Sequence, residues 1–181
     1  NNLSLNRSKT KEIIFTRRRT HEDDIPAKLP VIERVNYLNI IGVIICNKLS
    51  MKVHVEAILK KCRAHLYALK ILRSNGLKDE NVQVVYRAIV ISRILYACQA
   101  WWKYMSKEEN SRLCNFVKKC IKWGYCDSKI EWLNTIAKKM DTKLFIKLIN
   151  DENHVLLQIL PNRITHRFSL RNRAHDRATP I

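Results

Sequence analysis

Glycine and proline are scarce in this chain of 181 residues, which contains three glycines and four prolines. Both residues interrupt helices and form the tight turns that join short strands. Their scarcity argues against a protein built of many short strands and favours long helices. Hydrophobic residues make up 46% of the chain and charged residues 28%, which is typical of a sequence that buries a core.

Long apolar runs and closely spaced cysteines are also missing. No apolar run approaches the roughly 18 residues of a transmembrane helix, and no lipidation motif is present, so no membrane association is predicted. No secretory signal precedes the six cysteines. Cys114, Cys120 and Cys126 recur at intervals of six, whereas zinc sites usually begin with two cysteines separated by two to four residues. We expect reduced structural thiols without a metal, in an intracellular protein of the nucleus or cytoplasm.

Acidic residues are too few to balance the basic ones. The chain has 16 Asp and Glu against 34 Lys and Arg, a formal net charge of +18 at pH 7. Such an excess opposes compaction and usually serves to bind a polyanion. Nucleic acid, an anionic membrane and an acidic protein are the candidates. The lack of a membrane-binding segment favours nucleic acid.

The residue pattern predicts an α+β fold that is mostly α, with a small sheet at the beginning. β-branched and aromatic residues predict strands at residues 12–17, 31–35 and 37–46. These three strands are expected to form one small antiparallel sheet. The run from Ile40 to Ile45 is expected to be buried, because it is too apolar for an exposed edge.

Helical periodicity begins at Ser50, which is predicted to cap a helix that ends at Asn75-Gly76. Asp79 is predicted to cap a second helix that continues to about residue 103. Shorter helices are predicted at about 107–122 and 128–149. A helical bundle should therefore follow the sheet.

Several segments carry motifs in a particular order along the chain. They are Leu5–Glu12, Tyr37–Val43, Leu49–Val55, Leu69–Leu77, Tyr86, Ser92–Trp101, and Leu160-Pro161 followed by Arg167 to Arg173. Their order and spacing resemble non-LTR (LINE-type, jockey-like) retrotransposon reverse transcriptases. In that family the first segment follows the catalytic motif, the second forms the primer grip, and the third opens the thumb. Met51 stands where the family usually has tryptophan.

The resemblance implies a right-hand polymerase fold. Residues 1–48 would be a palm remnant with the primer grip, 49–126 the thumb helices, and 127–181 the C-terminal helices and a basic tail. The fingers, most of the palm and an endonuclease would precede Asn1, so the chain is expected to be a fragment. Its partners would be the RNA template–DNA primer duplex and these upstream domains.

Catalysis by this family requires clustered aspartates that hold two Mg²⁺ ions about 4 Å apart. The resemblance places them upstream of this chain. Asp23-Asp24 is adjacent to charged residues and Pro26, which indicates a solvated loop. We expect no cofactor on this chain, Mg²⁺ in the parent enzyme, and no polymerase activity from the chain alone. The alternatives are a free-standing basic helical nucleic-acid-binding module and an inactive translated relic.

Two places near the beginning are candidate sites. The resemblance implies that Lys9 lies near the phosphates of the incoming nucleotide, where an ammonium can stabilise the departing pyrophosphate. A solvated charge beside Lys11 is the alternative. Ile41, Gly42 and Val43 would form the primer grip, because a glycine inside a strand often marks a bend or a close backbone approach. A plain bulge without a ligand is the alternative.

Basic residues around the apolar stripe of the first helix are predicted to contact backbone phosphates. The predicted nucleic-acid contacts are Lys11, Lys60, Lys61, Arg63, Lys70 and Arg73. Tyr86, Arg93, Tyr96 and Trp101 form a stripe that is predicted to be core, with base stacking as the alternative. The arginines of the tail, from Arg163 to Arg177, are either an RNA-binding arm or an unstructured remnant.

Overall fold

The computed structural model describes residues 6–16, 25–127 and 132–161. It is mostly helical with a small antiparallel sheet, which confirms the predicted α+β, mostly α class. The chain divides into two compact units, Asn1–Ala137 and Lys138–Ile181. The predicted division into palm remnant, thumb and tail follows the family resemblance, and the two compact units do not test it. It stays a prediction.

The strands form two separate pairs. Strands β1 (Lys11–Glu12) and β2 (Glu33–Arg34) pair in parallel, while β3 (Tyr37–Ile40) and β4 (Val43–Cys46) form an antiparallel hairpin. The predicted single three-stranded antiparallel sheet is therefore wrong. β1 and β2 are held by an ion pair, in which Arg34 Nε lies 2.6 Å from Glu12 Oε2. This hydrogen bond and charge lower the pKa of Glu12.

A turn divides the segment that the sequence analysis took for one buried strand. Ile41 and Gly42 both have left-handed backbone angles, with φ of 47° and 83°. Two consecutive positive φ values are the signature of a two-residue hairpin turn, and a glycine there relieves half of the strain. Ile41 is 82% exposed, so the expected burial of this apolar run was wrong at its centre.

Helix α1 (Lys52–Ser74) matches its predicted bounds within two residues at each end. Ser50 accepts a hydrogen bond from the amide of Lys52 at 3.4 Å, although the cap position itself is Met51. Apolar steps of three and four residues put one stripe of the helix into the core. The buried residues of α1 are His54, Val55, Ile58, Leu59, Cys62, Leu66 and Leu69.

The predicted long helix from Asp79 to residue 103 is interrupted. It consists of α2 (Asp79–Tyr86), a π-helical segment (Arg87–Ile91), α3 (Ser92–Leu95), α4 (Cys98–Trp101) and a 3₁₀ turn (Trp102–Tyr104). The Ser92 hydroxyl donates to the Ala88 carbonyl, which competes with the helical backbone pattern. Ala97 has a φ of 48°, which breaks the helix outright. The predicted apolar period survives across this break because several of its residues still face the core.

Helix α5 (Lys107–Lys122) has its predicted bounds, and its start is closed by a capping box. Ser106 Oγ accepts from the Glu109 amide at 3.2 Å, and Glu109 Oε2 accepts from the Ser106 amide at 2.6 Å. Helix α6 (Leu133–Asn150) begins later than predicted, and residues 128–131 lie outside the described ranges. A 3₁₀ turn follows at Leu157–Ile159.

The core of the first unit forms where α1 meets the hairpin, the segment from α2 to α4, and α5. Trp101, Tyr86 and Leu59 are among its largest fully buried side chains. Within the described ranges no cysteine forms a disulfide, and burial raises the pKa of Cys62 to about 12 and that of Cys120 to about 11. Across those ranges, we find no helix with the length and apolar character needed to span a membrane.

Candidate nucleic-acid interface

A cleft of about 610 Å³ opens beside the tip of the hairpin. We name it the hairpin cleft. Its walls are the Ile41-Gly42 turn, one flank of α1, and residues 88–96. All of these elements belong to the first compact unit.

The turn is fixed to the far wall of the cleft by Tyr96. The Tyr96 hydroxyl donates a hydrogen bond to the Ile41 carbonyl at 3.2 Å. A Cβ at position 42 would lie 3.4 Å from Tyr96 Cε1, so the ring and the turn are in close contact. The exposed backbone of the turn is therefore held in one position rather than left as a free loop.

Basic side chains line the cleft. Lys61 comes from α1 and Arg93 from α3, and the imidazole of His65 on α1 also lines it. Among the described residues that line it, none is acidic. The Arg93 Nε atom is buried and has no hydrogen-bond partner among the described residues. The cleft therefore presents positive charge to any ligand that enters it.

His54 is a buried part of the cleft wall. The side chain is only 4% exposed, and its Nδ1 accepts a hydrogen bond from the Ile44 amide at 3.2 Å. Burial, and then the charge of Lys61, lower the pKa of His54, which keeps the ring neutral. Because Nδ1 accepts, the proton of the neutral ring is on Nε2. This Nε2 has no partner among the described residues.

The predicted contacts on α1 do not share one face. Each residue turns an α-helix by about 100°, so Lys60 points about 100° away from Lys61. Arg63 and Lys70 lie within about 20° of each other, on the flank opposite Lys61. The cleft thus unites Lys61 with Ile41 and Gly42. Val43 is buried beneath the turn.

Arg73 is committed to protein partners. Its Nη1 and Nη2 donate to the carbonyls of Trp123 and Gly124 at 2.9 and 2.8 Å, and its Nε lies 3.0 Å from Asp79 Oδ1. The guanidinium also lies over the Tyr125 ring, 4.4 Å from its centroid. It is therefore not placed to contact phosphate, and we leave it out of the interface.

The remaining predicted sites lie apart from the cleft. Lys11 forms an ion pair with Glu33 at 3.0 Å, and Lys9 is exposed in a turn. Neither residue lines the hairpin cleft. Asp23-Asp24 and the arginines of the tail lie outside the described residues.

The aromatic stripe divides between core and cleft. Tyr86 and Trp101 are fully buried, as predicted, and burial raises the pKa of Tyr86. Tyr96 is 51% exposed and lines the cleft together with Arg93. The prediction of core was therefore wrong for Tyr96. Tyr96 leaves the core because the helix breaks at the next residue. The sequence does not reveal this break, because no glycine or proline stands at Ala97.

A second groove, of about 470 Å³, lies on the opposite flank of α1, against α5. We name it the α1–α5 groove. Arg63, Arg112 and Lys119 supply its charge, and Phe116 and Trp123 supply aromatic surface. Sequence reasoning missed this groove. The seven-residue spacing of Arg112 and Lys119 on one helix face was the available signal.

No family profile, curated protein or solved structure matches the chain. In the part of the chain that the structure describes, no three His, Cys, Asp or Glu side chains are grouped so that they could hold a metal ion.

Proposed function

We propose that this chain is the end of the palm and the thumb of a non-LTR (LINE-type) reverse transcriptase, and that it clamps the RNA template–DNA primer duplex. The ordered motifs between Leu5 and Trp101 support the family. The net charge of +18 supports a nucleic-acid partner. The hairpin cleft supports the specific role in gripping a duplex.

One observation carries this proposal: a rigid backbone turn lies beside two cationic side chains. The Ile41-Gly42 turn is held by Tyr96, and Lys61 and Arg93 line the same cleft. A nucleic-acid backbone offers what such a site lacks, namely negative charge and phosphate oxygens that accept hydrogen bonds. Donors held in place before binding lose little entropy when the ligand arrives.

In this proposal the chain positions the duplex and performs no chemical step. Lys61 and Arg93 neutralise backbone phosphates, and the buried, neutral His54 supports the hairpin by accepting from the Ile44 amide. Such phosphate contacts fix register and do not read sequence. The Mg²⁺-binding aspartates belong to the parent enzyme upstream. A role for Lys9 near the phosphates of the incoming nucleotide also belongs to that parent and needs its palm.

Duplex binding by charge-reversal variants tests the proposal. A labelled blunt RNA–DNA hybrid is titrated with Lys61→Glu and with Lys119→Glu, measured by fluorescence anisotropy over a range of salt concentrations. Both lysines are exposed and both substitutions change net charge equally. We expect Lys61→Glu to weaken hybrid binding and to reduce the log–log salt slope by about one unit, the loss of one phosphate contact. Lys119→Glu should leave that slope nearly unchanged.

Two outcomes would contradict the proposal. Equal effects of both variants would mean that net charge, rather than the hairpin cleft, determines binding. Wild-type affinity in Lys61→Glu would remove the cleft from the interface.

A further inference from the structure

The α1–α5 groove contains a feature that duplex binding does not explain. Trp123 lines this groove and is 53% exposed. Leaving a large indole in water is unfavourable for a folded protein. Isolated exposed apolar residues are common, but this one borders a groove with three basic side chains. The combination calls for a ligand with both negative charge and flat apolar surface.

Trp123 is also held unusually firmly for an exposed residue. It ends α5, where the Tyr125 amide donates to the Cys120 carbonyl at 3.0 Å and the Gly124 amide to the Ile121 carbonyl at 2.9 Å. These bonds form a Schellman motif around Gly124, whose φ is +73°. Arg73 then fastens the Trp123 and Gly124 carbonyls to α1. The backbone that carries the indole is therefore rigid on both sides.

The charge in the groove is only partly balanced. Arg63, Arg112 and Lys119 line it, and none of its described lining residues is acidic. Arg112 has an ion pair with Glu56 outside the lining, at 3.6 Å, in which Glu56 is well exposed. Exposed pairs of this kind contribute little. The groove therefore keeps a net positive potential beside the indole.

We propose that the α1–α5 groove binds an unpaired nucleic-acid strand, with Trp123 stacked on a base and Arg63 and Lys119 on flanking phosphates. A duplex keeps its bases stacked on one another and has no free base face for the indole. An unpaired strand offers both a phosphate backbone and free base faces. A membrane would need a larger apolar surface, and an acidic peptide lacks the flat ring that an indole stacks on. This second site goes beyond the duplex cleft and does not depend on it.

Binding of oligothymidylate to full-length chain variants tests the inference. The labelled strand is about 12 nucleotides long, within the range of site sizes known for single-strand-binding proteins. Thymidylate is used because it does not pair with itself. We expect Trp123→Ala to raise its Kd about 5- to 150-fold, the loss of one stacked base. Trp123→Phe keeps a ring and should retain most of the affinity. The blunt hybrid should bind Trp123→Ala as it binds the wild type.

Trp132 provides a matched control. It is 50% exposed, carries Lys118 at 5.6 Å from its ring centroid, and does not line the groove. Trp132→Ala should leave oligothymidylate binding unchanged. Lys119→Glu should weaken it and reduce the salt slope by about 0.7.

Three results would overturn the inference. They are equal losses in Trp123→Ala and Trp132→Ala, unchanged oligothymidylate binding in Trp123→Ala, and equally tight, Trp123-dependent binding of polyglutamate. The last result would assign the groove to an acidic protein. Lys61→Glu could bind the hybrid with wild-type affinity while Trp123→Ala binds oligothymidylate more weakly. That result would contradict the duplex proposal and support single-strand binding in the α1–α5 groove.

Discussion

The two flanks of α1 both carry basic side chains, but the groups beside those side chains differ. On one flank Lys61 lies beside a backbone turn and a tyrosine hydroxyl. On the other flank Arg63 lies beside Phe116 and an exposed indole. Positive charge attracts any polyanion, so it cannot distinguish the two sites. The neighbouring groups can: a rigid turn with hydrogen-bond donors suits a backbone, whereas an indole suits an open base.

Replacement of Arg73 should have the largest effect, and it should change single-strand binding without changing duplex binding. Arg73→Lys keeps the charge but loses the paired donors that hold Trp123 and Gly124. We expect a loss of about 1–3 kcal/mol in the free energy of unfolding, measured by urea denaturation. Single-strand binding should weaken, while the affinity for the hybrid stays unchanged. Weaker hybrid binding would instead restore Arg73 to the duplex contacts that the sequence analysis predicted, because lysine cannot make the paired hydrogen bonds of arginine to phosphate.

Two glycine substitutions should show whether the hairpin turn itself takes part in hybrid binding. Gly42 and Gly76 both have positive φ, of +83° and +91°. Gly42→Ala and Gly76→Ala should each cost roughly 1–2 kcal/mol of stability for the strained backbone. Only position 42 borders Tyr96, so only Gly42→Ala should weaken hybrid binding. If both variants bind the hybrid as the wild type does, the turn is a plain bend, as a free-standing basic module would predict.

Acid should weaken the hairpin flank through His54. Its folded-state pKa is lowered, so the unfolded chain takes up the proton first as pH falls. The stability from the neutral ring is therefore complete above the unfolded pKa of about 6.5 and is lost progressively below it. Denaturation midpoints at about pH 8 and about pH 5.5 should differ less in His54→Asn, whose amide oxygen replaces Nδ1 without titrating. Identical pH dependence in both proteins would show that the pKa of His54 is the same in the folded and the unfolded chain, which would contradict its burial.

Periodic elements were predictable because one physical rule decides them. The apolar steps of α1 fix which stripe is buried, and Ser50 and Asn75-Gly76 mark its ends. The same holds for α5, whose Ser106 and Glu109 form a capping box. In these helices local preference and burial agree, so a single sequence contains enough information.

Sites that depend on contacts between distant residues were not predictable in the same way. Tyr37–Cys46 is mostly apolar, and its fold into a hairpin depends on two left-handed residues, of which only Gly42 is recognisable from the sequence. In the sequence Arg73 looks like any other basic residue on a helix. Its partner, the Trp123 carbonyl, lies fifty residues later in the chain. The cleft and the groove both arise from such pairings. Their charges were visible in the sequence, but their grouping was not.

The π-helical segment Arg87–Ile91 determines which residues reach the hairpin. A wide turn of this kind accommodates one residue more than a regular helix, which rotates everything after it by about 100°. Arg93 and Tyr96 owe their orientation toward the turn to that rotation, while Ile94 stays in the core. A one-residue deletion there would realign the helix and swing the tyrosine hydroxyl off the Ile41 carbonyl, so a local irregularity sets the angular register of the whole cleft.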